Sequence, residues 1–474
     1  MHIESARSAR RVCPERLGFA LVALLASLPA WGCAGHAART EGARSALDAG
    51  SPKEALEQLD EQLEVSGPSA LPENVGGDNA LLILDRAMVL QELASTGKLE
   101  ASKAYSWSSR DLEVADKQVE ILDLSRSAMA DIGKYLFSDA TGPYKAPTYE
   151  KLMINTMNMV SYLARGDLGG AKVEARRLAV MQRYISEHEG HGASLSGPGS
   201  YLAGFAFEKS GSANEALLYY DEALQYGDYP SLGDTVRRLA RSASYRSTRI
   251  SAILRKEEPG KGEKSEADAG EDDSGEILVV LGFGRVPAKI AKRVPIGLAL
   301  TLVSGALSPT DESRANYLAA QGLVTWVNYP ELGRPRGQYE TPGFALDGAW
   351  QSLEGALAVD EEARKAWDQA KGTVVASAIT RLIARVATGE VVRRSTGGGL
   401  VGALLSLGTQ ATLTAVDTPD TRSWSTLPAR IAIGRIRVRP GKHYVDLETR
   451  GVRQRKSITV APRGWAVVNM TVLR

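Results

Sequence analysis

Residues 149–178 read YEKLMINTMNMVSYLARGDLGGAKVEARRL, and this stretch decides how the first half of the chain is built. Tyr149, Leu152, Met153, Thr156, Val160 and Leu163 recur at three- and four-residue spacing, which puts them on one face of a helix. Gly166-Asp167 turns the chain, and Ala171, Ala175 and Leu178 open the apolar stripe of a second helix. The spacing predicts an antiparallel helical pair. Met153, Met157 and Met159 read as its core packing rather than as ligands, since Met fills irregular gaps between helices.

Outward from this pair the pattern returns. Gly204 and Phe207 lie on one predicted helix, Gly211 at a turn, and Ala216, Tyr220 and Ala223 on the partner helix. Small residues let two helices approach and an aromatic ring fills the space beside them, which is how tetratricopeptide repeats arrange their packing positions. Asp48–Leu63 repeats the second half of the unit, with Ala55, Leu59 and Leu63 on one face. Ala171 and Ala216 lie 45 residues apart (216 − 171), against about 34 in that repeat. A Gly-, Ser- and His-rich loop over 186–199 takes up the difference. Residues 41–253 are therefore expected to form a tetratricopeptide-like helical domain.

A linker follows over 254–275. Its sequence KEEPGKGEKSEADAGEDDSG holds no large apolar residue and cannot offset its ordering entropy by burial. Glu276–Leu281 is then an apolar β run. Helices are predicted over 311–321 and 359–388, the second carrying Val374, Val375, Ala378, Ile379, Leu382, Ile383 and Val386 as a broad stripe. From Ala429 the period falls to two. Ile431, Ile433, Ile436 and Val438 precede Pro440-Gly441. Tyr444, Val445 and Leu447 precede Arg450-Gly451. Ile458 and Val460 precede Pro462-Arg463-Gly464, and Val467 to Leu473 close the series. Short strands with turn signals about every ten residues predict a small antiparallel β-sandwich. The uncharged stretch 397–416, GGGLVGALLSLGTQATLTAV, has five glycines and several polar side chains; it reads as a tightly packed buried helix, with contact to a membrane as the alternative.

The N-terminus carries an export signal. Arg7, Arg10, Arg11 and Arg16 precede an uncharged, mostly apolar run from Leu17 to Ala30, too short to span a bilayer comfortably. It ends in Ala30-Trp31-Gly32-Cys33, where a small residue before Cys suits a lipoprotein signal peptidase. Cys13 and Cys33 are the only cysteines, so cleavage and acylation leave no free thiol and no disulfide. Cys33 is thus the expected lipid anchor, and because Ala34 rather than Asp follows it, the sorting habit of enteric bacteria would send the chain to the outer membrane.

Lys and Arg number 57 against 56 acidic residues, which argues against a nucleic-acid partner. Gly282-Phe283-Gly284 follows a strand as a dinucleotide fingerprint does, but Pro287 stands at the third glycine position and no acidic residue follows at the required distance. His188 and His191 beside Glu187 and Glu189 lack the HExxH zinc spacing; the other mature histidines are His36 and His443. Acidic residues at 361–362 and 271–273 belong to a charged helix start and to the linker. No nucleophile elbow, P-loop or reactive Cys is present. No catalytic residue, cofactor or metal site is expected.

Three blocks carry a resemblance: residues 149–178, GEILVVLGFGRVPAKIAKRVPI (275–296) and DTRSWSTLPARIAIGRIRVRPG (420–441). In combination and order they resemble an uncharacterised family of Gram-negative lipoproteins with a tetratricopeptide-like N-terminal half and a characteristic C-terminal half. The family motifs correspond here to Gly284 and Pro287, and to Thr421, Arg422, Ser423 and Trp424. The resemblance implies a gene neighbourhood with two small lipoproteins, one similar to activators of penicillin-binding proteins and to curli-secretion-type lipoproteins, and it carries over no catalytic residue. The terminal strands alone resemble a β-sandwich module of cell-envelope proteins.

The expected whole is an α+β multidomain lipoprotein: signal peptide 1–32, lipid-anchored tether 33–40, helical domain 41–253, linker 254–275, α+β domain 276–428 and β-sandwich strands 429–474. Its expected role is a periplasm-facing outer-membrane scaffold that binds periplasmic or outer-membrane proteins, the co-encoded lipoproteins among them, through a concave face near 149–225. The alternative is an envelope enzyme or a peptidoglycan-binding lipoprotein with a site near Arg422 and Trp424.

Overall fold

The computed structural model describes residues 36–124, 144, 146–188, 193–256, 273–303, 305–320, 326–334, 340–395 and 419–474. The export signal with Cys33, the linker body 257–272, His191 and the segment 397–416 lie outside the described residues. No helix among the described residues is long and apolar enough to cross a membrane.

The first half is helical. Its elements are α1 (His36–Arg39), α2 (Glu41–Asp48), α3 (Pro52–Gln62), α4 (Asp78–Ser95), α5 (Ala101–Leu124), α6 (Thr148–Ala164), α7 (Leu168–His188), α8 (Gly197–Lys209), α9 (Ala213–Tyr226), α10 (Leu232–Leu239) and α11 (Thr248–Arg255). The pairs α2–α3, α4–α5, α6–α7 and α8–α9 turn in one way. Gly50, Gly97, Gly166 and Gly211 take left-handed φ values of 76°, 69°, 75° and 82°. The residue after each donates its N–H five positions back: Ser51 to Ala46 at 2.8 Å, and Lys98 to Leu93, Asp167 to Tyr162 and Ser212 to Phe207 at 2.9 Å. This bond satisfies a carbonyl that a helix end otherwise leaves open, and glycine alone reaches the required φ without a steric penalty.

Close approach within the pairs follows from the small residues. A Cβ on Gly204 would lie 2.4 Å from Cδ1 of Tyr220, and one on Gly170 2.2 Å from the Tyr162 ring. Phe207 stacks on Tyr219 with ring centroids 5.2 Å apart. Ala171, Ala216 and Ala223 are buried in the same core.

The second half is built on sheets, and the molecule is a mixed α+β fold. Its strands are β1 (Gly275–Phe283), β2 (Lys289–Pro295), β3 (Trp326–Leu332), β4 (Gly343–Leu346), β5 (Ala349–Trp350), β6 (Glu354–Ala358), β7 (Arg430–Val438), β8 (Gly441–Thr449), β9 (Val452–Val460) and β10 (Trp465–Val472). One sheet has the order β10-β1-β7-β6 and a second β5-β4-β8-β9. β1 is buried along its length and, apart from Glu276, carries no charge, as suits a strand with both faces covered. Ile277, Val279, Leu281 and Phe283 meet Phe344, Val445 and Leu447 of the second sheet, while Leu278 and Val280 join the core of the helical half. Helices, first sheet and second sheet thus form three layers.

A smaller core stands apart. β2 pairs with β3, and Val294, Val327 and Tyr329 pack with α12 (Ile296–Leu300), α13 (Pro309–Ala320) and α14 (Val359–Ser395). Val359 and Ala363 at the start of α14 belong to the main core, and Trp367 to Ile383 to the smaller one.

Several boundaries differ from the sequence expectation. The tether expected over 33–40 is already fold from His36, which is 1 % exposed and begins α1. The proposed border at 429 divides nothing, since β7 and β10 flank β1. The sheet is mixed rather than antiparallel, because β1 runs parallel to β10, Glu276 opposite Trp465. Gly35–Arg474 is one compact unit, so the linker does not separate two independent bodies. Period-two patterning reports a strand, but not which distant strand it will join.

Candidate functional site

The two motif segments come together. The Gly284 N–H donates to Val472 O at 2.9 Å, the Val286 N–H to Leu427 O at 2.9 Å, and the Ala429 N–H to Gly284 O at 3.3 Å. Pro287 is buried beside them, and the Lys289 N–H reaches Ser423 Oγ at 3.5 Å. Residues 284–289 therefore run along 423–429, and both lie against the helical half.

Residues 420–426 are buried throughout. Asp420 accepts from the Arg422 backbone N–H at 3.0 Å, from its Nε at 2.8 Å and from its Nη2 at 2.7 Å. The guanidinium lies 5.5 Å from the centroid of the Tyr144 ring and 3.5 Å from Asp78. Two helix carboxylates then hold the backbone of the segment. Glu150 of α6 accepts the Trp424 N–H at 3.0 Å and the Tyr144 hydroxyl at 2.5 Å. Asp85 of α4 accepts the Thr426 N–H at 2.9 Å, its hydroxyl at 2.8 Å and the Ser425 hydroxyl at 3.2 Å. His36 Nε2 lies 3.6 Å from Asp85. Thr421 is buried with the rest, and Trp424 is 1 % exposed.

Burial sets the electrostatics. It raises the Glu150 carboxyl above the usual range, against the lowering effect of the Tyr144 and Trp424 hydrogen bonds. It lowers the Lys289 ammonium, which Asp420 and Glu150 partly restore. The cluster clasps a strand-entry segment to two helices. At Arg422 and Trp424, where the alternative reading put a polar site, both side chains are buried, Arg422 paired with Asp420 and Trp424 with its indole nitrogen unpartnered. Two open cavities lie elsewhere among the described residues: about 640 Å³ bordered by α3, and about 830 Å³ bordered by β6 and the start of α14. Neither contains a motif residue.

A second polar joint fastens β7. Arg435 donates from Nε to Glu276 at 2.6 Å, from Nη2 to Glu208 at 2.7 Å and from Nη1 to the Tyr220 hydroxyl at 2.8 Å. Lys209 also pairs with Glu276. Burial alone would raise the two carboxyls, but the combined pull of Arg435 and Lys209, and of Arg238 on Glu208, holds both below the usual range. At β10, Ser95 Oγ accepts the Thr471 N–H at 2.9 Å and Glu92 accepts the Leu473 N–H at 3.2 Å. Together these contacts cover the inner sides of α4, α6 and α8, where the concave docking face near 149–225 was expected. Sequence reading missed Asp85, Glu150, Glu208 and Arg435. The available signal was a charge inside an otherwise apolar stretch, as at Asp85 in ALLILDRAMVL (80–90).

No protein-family model matches the chain, and no curated protein matches it. Among the described residues no group of three or more His, Cys, Asp or Glu side chains could hold a metal ion.

Proposed function

We propose that this chain is a scaffold of the bacterial envelope, a periplasm-facing outer-membrane lipoprotein anchored by acylated Cys33, whose tetratricopeptide-like helical hairpins hold envelope protein partners. The carrying observation is the division of labour in the helical half. Its inner helices grip the sheet, while its outer helices leave apolar side chains in solvent: Val173 and Val180 on α7, the latter 70 % exposed, and Leu218 on α9. Val173 and Leu218 each lie two residues beyond the equivalent alanines, Ala171 and Ala216. Four like-built turns, among the described residues, support the repeat reading. Docking then falls on the outer helices rather than the inner face.

Two measurements test it. Cys33→Ala should abolish acyl labelling and move the chain from the membrane to the soluble fraction. A photo-crosslinking residue at Val180 should trap envelope proteins in native membranes, whereas one at Thr459 on the second sheet should not. Membrane retention of the unlabelled Cys33→Ala chain would refute the anchor; equal trapping at both positions would refute the helical docking surface.

A further inference from the structure

The 640 Å³ cavity at the start of the helical half has a composition that the clasp does not use. Leu56 of α3 and Leu93 of α4 form its buried floor. Val65 and Leu99, both half-exposed, form its walls. Glu57 and Glu61 stand one turn apart on α3 at its rim, both exposed, with Lys53 the only basic residue among the described residues of the lining. Asp60 is turned inward to Arg86 at 3.0 Å, so its charge is already matched. The volume lies within the range of about 300–1,000 Å³ usual for clefts that enclose a ligand. An apolar floor beneath two adjacent like charges suits an occupant with the converse pattern. Its aliphatic side chains gain by leaving water, and its cations relieve the repulsion between carboxylates.

We infer that this cavity is a docking pocket for a partner polypeptide that inserts aliphatic side chains flanked by basic residues. The inference rests on the reading of the chain as a protein-binding scaffold and supplies a recognition chemistry for it. It does not require the lipid anchor. Leu99 and Val65 supply apolar contact, and Glu57 and Glu61 set the charge preference and the salt dependence.

The test uses the full chain in detergent, and its Cys33→Ala form in parallel, with three fluorescein-labelled peptides: Lys-Lys-Leu-Leu-Lys-Lys, Glu-Glu-Leu-Leu-Glu-Glu and Lys-Lys-Ser-Ser-Lys-Lys. Fluorescence anisotropy should show the first bound at least tenfold more tightly than either other. Leu99→Asp should remove that binding, with the circular dichroism spectrum unchanged. Glu57→Lys with Glu61→Lys should transfer the preference to the acidic peptide. Absence of binding by the basic Leu peptide, equal binding of all three, or retention of the basic preference by the double charge variant would overturn the proposal. Binding that persists in Cys33→Ala separates the pocket from the anchor, so either can fail alone.

Discussion

Helices meet strands in two regions of this molecule, and the two contacts are made of different material. Where α4, α6 and α8 meet the first sheet, the contact is studded with buried charge: Asp85, Glu150, Glu208 and Arg435 each hold a named atom of a strand or its neighbour. Where α14 lies on the β2–β3 pair, the buried contact is apolar, with Val374, Val375, Ile379 and Leu382 clustered with Val294 and Val327, and the Lys371–Glu331 ion pair there, at 3.3 Å, is partly exposed. Apolar contact is non-directional and tolerates small changes of register and size. A buried carboxylate with fixed donors accepts one arrangement and is costly to leave half-paired. The first contact therefore fixes position, and the second supplies cohesion.

The contrast breaks first at Arg435, which is 2 % exposed. Arg435→Ala leaves Glu208 and Glu276 buried beside Lys209 without their main partner, and should cost about 3–5 kcal/mol of stability, read as a fall in the urea midpoint. A shift no larger than that of a surface substitution would show that the joint is solvated and the contrast false.

Next comes Glu92, whose carboxyl is pushed up to about 7 by burial. In the unfolded chain it titrates near the usual 4.5. The folded form keeps its proton longer, so this group leaves stability untouched below pH 4.5, erodes it between pH 4.5 and 7, and holds the loss constant above. Glu92→Gln stays neutral and can still accept from Leu473. It should raise stability by on the order of 2–3 kcal/mol at pH 8 and leave it unchanged at pH 4. Identical denaturation midpoints at pH 8 would contradict this.

Ile379→Val sharpens the other side. It removes one methylene from the aliphatic contact and should cost about 1 kcal/mol. Hydrogen exchange should quicken in β2, β3 and α14 while the amides of β1 keep their protection. Uniform acceleration would mean that the small core unfolds only with the whole.

The smallest effect belongs to Arg455, paired with Asp446 on the second sheet at 2.6 Å and 69 % exposed. Its geometry resembles that of Arg435, but water surrounds it. Arg455→Ala should leave the melting temperature unchanged, and a clear drop would show that exposure does not separate the two arginines.

How much of this was legible in the sequence depends on distance along the chain. The Gly166 and Gly211 turns, the small–aromatic packing of Gly204 on Tyr220 and the strands from 430 onward follow from local patterns a few residues long. The continuous apolar run of β1 likewise belongs to a strand covered on both faces. Its parallel partner β10 lies almost two hundred residues away, and nothing local names it. β2 hid because Ile290, Lys292 and Arg293 point into solvent, leaving KIAKRVP without an apolar stripe. The motif residues Arg422 and Trp424 were found by resemblance, yet polar and aromatic types read alike whether they clasp a fold or face a ligand. Burial decides, and burial is not local.

β10 carries a consequence for the making of the protein. It follows every other described element, yet it is the edge strand beside β1, and Thr471 and Leu473 bond it to Ser95 and Glu92 of α4. The helical hairpins depend on neighbours in sequence and can form early, since such contacts need little loop closure. α4 is buried almost all round in the finished molecule and presents a greasy side until β10 arrives. Synthesis makes the chain N-terminus first, so there is an interval in which that side is bare and prone to aggregation. A holding chaperone with affinity for exposed apolar helices would find its substrate in that interval and lose it once β10 seats.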